Sequence, residues 1–376
     1  MTNPLLQLGE AGQAVWLDFI DRKLLESGGL KRLIAQDGLK GVTSNPSIFE
    51  KAMGEGGDYD DRLRAFLAQG QASAVEVYEH LAIGDIQDAA DQLRPVHDAT
   101  GGADGFVSLE VSPHLAMDTE GTVAEARRLW AAVDRPNLMV KVPGTEPGVA
   151  AIRALVGEGI NINVTLLFAL QAYLAVAEAH VAGLEAFKAG GGDVGKVAGV
   201  ASFFVSRIDT QIDKKIDQRV TGGDPDAERL KALRGKVAIA NAKVAYREYL
   251  KLIGTPRWKA LAAAGARPQR LLWASTGTKD PAYSDVLYVE TLIGRDTVNT
   301  MPPKTMDAFR DRGRVANTLT EGVAQAERVL AEAERLGLDL EGVTRDLVID
   351  GVKQFSDAFD KLLAAVGAKL GRRKSG

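Results

Sequence analysis

The most informative residue for chemistry is a lysine set among apolar residues. Lys141 lies in the segment NLMVKVPGT, with Leu138, Met139 and Val140 before it and Val142 after it. Burial disfavours the charged form of a lysine and so favours the neutral amine, which attacks carbonyl carbons to form a Schiff base. Two other interpretations stay open: the lysine pairs with a carboxylate, or its stem packs while its ammonium reaches water.

Two carboxylates and two amides also follow apolar runs. Asp18 and Glu110 suit the proton transfers that carbinolamine dehydration and carbon–carbon cleavage require. A structural role is equally open, since a strand-end aspartate can cap a helix and Glu110 can neutralise Lys141. Asn45 and Asn163 offer donors and acceptors to sugar hydroxyls, although an asparagine before proline, as at position 45, is also typical of a turn.

An anion-binding cluster is predicted at the ends of later strands. Ser202, Arg207 and Lys279 supply a hydroxyl, a forked cation and a point charge, which together suit a phosphate. Cations are usually solvated, so only their joint position at neighbouring strand ends supports the idea. The segment around Lys279 lacks P-loop spacing, and no dinucleotide-binding glycine pattern follows a strand. The other hydroxyl residues at strand ends are Thr43, Thr165 and Ser275.

Eight short apolar runs alternate with segments of helical spacing. The predicted strands are Val15–Phe19, Leu39–Thr43, Phe106–Glu110, Leu138–Val142, Ile160–Val164, Val197–Ser202, Arg270–Ala274 and Asp296–Thr300. The predicted helical segments are Arg22–Gln36, Tyr59–Leu93, Thr119–Val133, Pro147–Val156, Phe168–Lys188, Val205–Leu252 and Tyr283–Ile293, with a long helical tail from Lys304. This alternation predicts an α/β fold, and eight units favour a (β/α)8 TIM barrel. A doubly wound sheet is the alternative.

One domain is expected to span residues 1–376, with an extended helical region at its carboxyl end. Two irregular stretches, residues 221–229 and 254–269, are predicted to be surface insertions. Residues 369–376 form a basic tail. Because active sites in such barrels lie where the strands end, the polar residues named above are expected to meet at one face.

Composition excludes several classes of function. Of the 376 residues 45% are hydrophobic, as expected for a globular protein, and the net charge of -4 gives no reason to expect nucleic acid or a membrane as partner. The absence of cysteine excludes thiolate metal sites and cysteine nucleophiles, and the four histidines lack paired metal-ligand spacing. No apolar run suits a signal peptide or a membrane span, so a soluble cytoplasmic protein is expected.

Three segments of the sequence resemble signatures of the transaldolase family. GVTSNPSIF is similar to the signature of the second strand, LMVKVPGTEPG to the segment around the Schiff-base lysine, and INVTLLF to the signature of the fifth strand. The resemblance extends from about Val15 to Pro303 and favours the bacterial, longer-chain branch. It implies a (β/α)8 barrel.

The resemblance also implies a role for most strand-end residues. Lys141 matches the Schiff-base lysine, and Asp18 matches the acid–base residue of the first strand. Glu110 and Thr165 match the pair that positions a catalytic water. The substrate-binding residues are expected to be Asn45 and Asn163 for the dihydroxyacetone hydroxyls, Ser202 and Arg207 for phosphate, and the strand-end hydroxyls of Thr43 and Ser275.

The resemblance is interrupted after the seventh strand. Better-known members of the family carry a second phosphate-binding arginine there, whereas this sequence has Gly277, with Lys279 as a possible replacement for the charge. Phe204 lies where the resembling aldolases have a tyrosine. A phenyl ring has no hydroxyl to orient water or supply a proton, so Phe204 favours a transferase, unless it serves only core packing.

The implied activity is that of a transferase of the non-oxidative pentose phosphate pathway, with no metal or organic cofactor. It moves a dihydroxyacetone unit from sedoheptulose 7-phosphate or fructose 6-phosphate to glyceraldehyde 3-phosphate or erythrose 4-phosphate. Two alternatives remain: a fructose 6-phosphate aldolase with the same lysine, and a non-catalytic barrel that binds sugar phosphates. The expected partners are small sugar phosphates, and the chain is expected to be a monomer or a homodimer.

Overall fold

Each of the eight apolar runs forms a strand, and the strands close into one barrel. The computed structural model describes residues 3–54, 57–68 and 70–374. Its strands are β1 (Gln13–Leu17), β2 (Gly41–Val42), β3 (Phe106–Glu110), β4 (Leu138–Pro143), β5 (Ile162–Leu167), β6 (Gly199–Phe204), β7 (Arg270–Ala274) and β8 (Thr297–Met301). All pair in parallel in chain order, and β8 returns to β1 with Asn299 opposite Val15. The predicted barrel is confirmed, and the doubly wound alternative is wrong.

Helices surround the barrel. In chain order they are α1 (Pro4–Glu10), α2 (Arg22–Glu26), α3 (Gly29–Asp37), α4 (Pro46–Gly54), α5 (Asp60–Leu67), α6 (Ala74–Ala99), α7 (Thr119–Val133), α8 (Glu146–Val156), α9 (Leu170–Ala189), α10 (Ser206–Thr221), α11 (Ala227–Lys231), α12 (Val237–Gly254), α13 (Pro256–Ala262), α14 (Leu287–Glu290), α15 (Pro303–Arg312), α16 (Val323–Arg335) and α17 (Leu340–Lys374). Within the described residues, no helix has both the length and the apolar character needed to cross a membrane.

The boundaries of two strands differ from the predicted ones, because a search for apolar runs does not detect the residues where these strands begin or end. β1 begins at Gln13, whose buried Nε2 donates to the Leu292 carbonyl at 2.7 Å and to Thr297 Oγ1 at 3.0 Å. β5 continues to Leu167 through an irregularity in register, with Leu166 at a φ of 60°. A hydrogen-bonded buried amide and a bulged strand are both invisible to a search for apolar runs.

Several predicted helical segments are divided in two. The segment Arg22–Gln36 breaks at Gly28, whose φ of 72° is a left-handed conformation that glycine adopts without strain. The segment Tyr59–Leu93 divides into α5 and α6, and Ser73 caps the second helix. Its hydroxyl accepts from the backbone N–H of Glu76, while the Glu76 carboxylate accepts from the backbone N–H of Ser73.

The stretches predicted as insertions and tail contain more helix than expected. Residues 221–229 lie between α10 and α12 and include the start of α11. Residues 254–269 contain α13, whose Trp258 side chain is buried. α17 continues to Lys374 and so includes most of the basic tail, while residues 375 and 376 lie outside the described residues.

α9 carries a buried histidine that packs beneath the start of β6. His180 is 1% exposed, and a Cβ on Gly199 would lie 2.6 Å from its Cε1 atom, so only glycine leaves room for the ring. Neither ring nitrogen forms a hydrogen bond of good geometry within the described residues. Burial lowers the pKa of His180 to about 4, because the buried imidazolium would lose its hydration. The residue lies at the amino-terminal ends of the strands, away from the polar strand ends.

This buried histidine predicts a loss of stability in mild acid. The unfolded chain protonates His180 near the ordinary pKa of about 6.5, whereas the folded chain resists protonation until about pH 4. The contribution of the neutral His180 ring to the free energy of unfolding is therefore fully present above about pH 6.5. It is lost progressively as the pH falls towards 4. Wild type should lose about 2 kcal/mol more unfolding free energy than His180→Gln between about pH 7 and about pH 5. Urea unfolding at both pH values measures this difference, and equal losses would contradict it.

Candidate active site

The carboxyl ends of the strands surround a cavity of about 600 Å³. A cavity of this size suits a small-molecule ligand. The predicted residues that line it are Asp18, Thr43, Asn45, Lys141, Thr165, Ser202, Phe204, Arg207, Ser275 and Lys279. The other two, Glu110 and Asn163, are buried behind this lining. The predicted residues of this lining come from six strands or the loops after them, Glu110 adds β3, and Thr300, which also lines the cavity, adds β8.

Lys141 lies at the floor of the cavity on β4. Its side chain is 5% exposed, and its Nζ donates to the backbone carbonyl of Ser44 at 3.0 Å. The Glu110 Oε2 atom is 3.4 Å from the same nitrogen. The ring of Phe355, from α17, lies over Nζ with 5.8 Å between the nitrogen and the ring centroid. The amine is therefore enclosed by a carbonyl, a carboxyl and an aromatic ring.

Glu110 is a buried acid whose pKa is strongly raised. Its side chain is 3% exposed, and neither carboxyl oxygen accepts a hydrogen bond of good geometry from the described residues. Burial raises the pKa of Glu110 to about 7, although the charge of Lys141 acts in the opposite direction. The carboxyl can therefore exchange a proton near neutral pH.

Asp18 follows β1 and is oriented by two threonines. Its Oδ1 accepts a hydrogen bond from Thr43 Oγ1 at 2.7 Å, and the Thr43 and Thr300 hydroxyl oxygens are 2.7 Å apart. Because Thr43 gives its only hydroxyl proton to Asp18, Thr300 must donate to Thr43. Burial raises the pKa of Asp18, and the surrounding cations and the Thr43 hydrogen bond oppose that rise.

A chain of buried hydrogen bonds runs beneath the cavity. Ser202 Oγ donates to Asn163 Oδ1 at 2.7 Å, and Asn163 Nδ2 donates to Ser108 Oγ at 3.0 Å. The Ser44 hydroxyl donates to the Ser108 carbonyl at 2.7 Å. Ser202 therefore directs its proton towards Asn163, which leaves its lone pairs for the cavity. Thr165 differs, because its fully buried Oγ1 has no hydrogen-bond partner within the described residues and remains open to a ligand.

Asn45 combines the two roles considered from the sequence. Its Oδ1 accepts a hydrogen bond from the backbone N–H of Ile48 at 3.0 Å, in the first turn of α4. The residue also lines the cavity. Capping of the helix therefore fixes the direction in which the rest of the side-chain amide points.

Arg207 presents an unpaired guanidinium to the cavity from the first turn of α10. Its Nη1 is buried without a hydrogen-bond partner in the described residues, and its Cζ lies 5.3 Å from the centroid of the Phe204 ring. Burial lowers the pKa of Arg207, while Asp18 and Asp350 act to raise it. Ser275, at a φ of 55°, holds its hydroxyl 2.9 Å from that of Ser206.

Three exposed lysines extend this positive region along the rim of the cavity. Lys51, Lys279 and Lys304 all line it, and none forms an ion pair with a carboxylate elsewhere in the described chain. A Cβ on Gly277 would lie 3.0 Å from Thr305 Oγ1, so the start of α15 occupies the wall at that position. Across the described residues, no three potential metal ligands among His, Cys, Asp and Glu come together.

The chain matches the family model described as Transaldolase/Fructose-6-phosphate aldolase over residues 15–366. It belongs to this family. A transaldolase of Parafrankia sp. is 50% identical over 376 residues, with both chains covered completely. A transaldolase of Trichodesmium erythraeum is 45% identical, with 98% of each chain covered. One of Thiobacillus denitrificans is 51% identical, with 95% of this chain and 97% of the relative covered.

In this member of the transaldolase/fructose-6-phosphate aldolase family, sequence reasoning missed residues that come from helices or hold others in place. Three of the missed residues hold others in place: Ser44 accepts a hydrogen bond from Lys141, Ser108 accepts one from the Asn163 amide, and Thr300 donates one to Thr43. The other three come from helices and line the cavity: Lys51, Lys304 and Phe355. The sequence pattern indicates the first three only weakly, as small polar residues in or next to apolar strands. Phe355 carried none, because it lies in a helix far from any motif.

The site geometry predicts how Glu110 responds when its neighbouring cation is removed. In Lys141→Met, the pKa of Glu110 should rise above its value of about 7, because burial persists while the opposing charge is gone. Carboxyl carbon NMR of the folded variant measures this shift. Lys243→Met, which removes a partly buried lysine held by the Thr318 and Glu321 carbonyls, should leave the Glu110 titration unchanged. A lower pKa of Glu110 in Lys141→Met would contradict the assignment.

Proposed function

We propose that the protein is a transaldolase that holds a dihydroxyacetone unit as a Schiff base on Lys141. The observation that carries the proposal is a buried amine 3.4 Å from a carboxyl whose pKa lies near neutrality, at the floor of the cavity. An amine and an acid that can exchange one proton are what carbinolamine formation and dehydration require.

The first half of the proposed reaction forms the iminium. A proton passes from Lys141 to Glu110, and the free amine attacks the ketose carbonyl to give a carbinolamine. Glu110 then protonates the departing hydroxyl, which leaves as water. The hydroxyl of Thr165, which is fully buried and has no hydrogen-bond partner among the described residues, is proposed to hold that water beside the iminium carbon.

The second half breaks the carbon–carbon bond. Asp18 removes the proton of the substrate hydroxyl next to the bond, the aldose phosphate leaves, and the electrons of the broken bond pass into the iminium to give an enamine. Burial raises the pKa of Asp18, which strengthens it as a base, and Thr43 fixes the direction of its carboxylate. Addition of the enamine to an acceptor aldehyde reverses these steps.

The positive rim of the cavity supports phosphorylated substrates. Arg207 offers a guanidinium fork, Ser275 a hydroxyl, and Lys279 and Lys304 point charges at the rim. Asn45 and Asn163 are proposed to serve the dihydroxyacetone end. The Asn163 amide is hydrogen-bonded to Ser202 and Ser108 below the cavity, so it also orients the Ser202 hydroxyl, which is proposed to bind phosphate with Arg207.

The proposed chemistry uses only side chains of this chain and needs no metal or organic cofactor. We place the reaction in the non-oxidative pentose phosphate pathway, in the cytoplasm, with sedoheptulose 7-phosphate or fructose 6-phosphate as donor. The matched family also includes fructose 6-phosphate aldolases, which makes an aldolase the second candidate. The relatives named transaldolase, at 45–51% identity over nearly the whole chain, favour the transferase. A barrel that only binds sugar phosphates would not require the buried amine and acid.

Chemical trapping tests the Schiff base directly. Borohydride added with fructose 6-phosphate should leave a reduced three-carbon adduct on Lys141, because only this lysine is proposed to form an iminium. Lys141→Arg should fold and yield no adduct and no transfer, since a guanidinium remains protonated. Peptide mass spectrometry and a coupled assay with erythrose 4-phosphate measure both results.

The matched control for this experiment is Lys243→Arg. Lys243 is another partly buried amine held by backbone carbonyls, but it lies outside the cavity lining. That variant should keep both the adduct and the transfer. An adduct on a different lysine, or an active enzyme that cannot be trapped, would disprove the mechanism.

Phe204 distinguishes the transferase from the aldolase. Its ring lines the cavity, packs 5.1 Å from the Phe168 centroid, and has no group that can protonate the enamine. Wild type should therefore consume fructose 6-phosphate rapidly only when erythrose 4-phosphate is present. Phe204→Tyr should gain release of free dihydroxyacetone without an acceptor and lose transfer, as measured by the ratio of the two products. Free dihydroxyacetone from wild type at a rate similar to transfer would establish the aldolase instead.

A further inference from the structure

The last helix of the described chain covers part of the cavity and carries an aromatic ring to the lysine. α17 packs against α4, α6, α10 and β5, and so crosses the carboxyl-terminal face of the barrel. Phe355 projects from it into the cavity lining and is 4% exposed. Its ring is the only aromatic group over the Lys141 amine among the described residues, with 5.8 Å between Nζ and the centroid.

The position of this ring is fixed by neighbours on the same helical face. Gly351 lies one turn before Phe355, and a Cβ there would be 2.7 Å from Leu166 Cδ2, so glycine permits close contact with the bulge of β5. Phe359 lies one turn after it and meets the ring of Tyr78 edge-on at 5.4 Å. The helix is thus anchored on both sides of Phe355.

A second set of contacts holds the helix to the loop that follows β3. His114 Nε2 is 2.8 Å from Asp360 Oδ1, and the Phe359 ring also meets the His114 ring at 6.0 Å. These contacts lie outside the cavity. The helix that carries Phe355 is therefore also held in place by contacts outside the cavity.

The charge of the amine changes during the proposed reaction in a way that this ring would influence. A free amine is neutral, whereas the protonated Schiff base carries a positive charge, which it keeps until a base removes the proton on its nitrogen. The face of a phenyl ring attracts a cation within about 6 Å, and more strongly where water is excluded.

We propose that Phe355 is a positioning residue that stabilises the Lys141 iminium and keeps bulk water away from it, so that α17 completes the active site. This inference rests on the proposed Schiff-base function. Release of free dihydroxyacetone requires protonation of the enamine carbon, addition of water to the iminium carbon, and cleavage of the carbon–nitrogen bond to restore the amine. Exclusion of bulk water by Phe355 removes a proton source for the first of these steps and so favours transfer to an acceptor, whereas the addition of water is also needed to release the transfer product.

The decisive variant keeps the shape of the ring and reverses its electrostatics. Phe355→pentafluorophenylalanine in the full chain should lower the amount of borohydride-trapped adduct on Lys141 on the order of fivefold at saturating fructose 6-phosphate, with little change in thermal stability. Phe355→Leu removes the ring and should lower the trapped adduct and also raise the ratio of free dihydroxyacetone to transfer product.

The matched control is Phe359→Leu, which removes an aromatic ring from the same face of the same helix, where it packs on Tyr78 outside the cavity lining. This variant should lose stability and keep the wild-type adduct yield and product ratio. If wild type is trapped normally and the pentafluoro variant matches it, the role of Phe355 is refuted while the proposed function stands. If wild type yields no adduct, both proposals fall. Should Phe355→Leu fail to fold, the pentafluoro variant decides the question.

Discussion

The burial of one amine beside one acid is the constraint on which the site depends. Lys141 and Glu110 are both almost fully enclosed, so neither can be charged without either a partner or a large solvation cost. Such a pair contributes little to net stability, because the desolvation of two ions offsets their attraction. It does make the location of a single proton sensitive to small changes nearby. The proposed chemistry uses that sensitivity.

Closure of the barrel supplies the partners that hold this pair. β8 pairs with β1, which brings Thr300 beside Thr43 and so orients Asp18. On the other side, the chain from Ser202 through Asn163 to Ser108 spans β6, β5 and β3 beneath the cavity. Hydrogen bonds that cross between strands fix the side chains to the rigid part of the fold. The cations along the rim, by contrast, lie on loops and helices.

The fold and most of the site could be predicted from sequence because both follow from local pattern. Buried parallel strands are continuous apolar runs, and polar residues near the carboxyl ends of most runs face the cavity, as Lys141 and Asp18 do. Residues that enter from far along the chain carry no such mark. Phe355 is an ordinary aromatic residue in an amphipathic helix until the helix is placed over β4. The hydrogen-bonding direction of Ser202 likewise depends on a neighbour from another strand.

The docking of α17 also has a consequence for how the protein is made. Chains are synthesised from the amino terminus, and domains begin to fold as they emerge from the ribosome. β8 can pair with β1 as soon as residues 297–301 are available, whereas Phe355 is translated later. The residues that close the barrel are therefore synthesised before the residue that covers its lysine. The order of translation separates synthesis of the strands from synthesis of the helix that lies over the cavity.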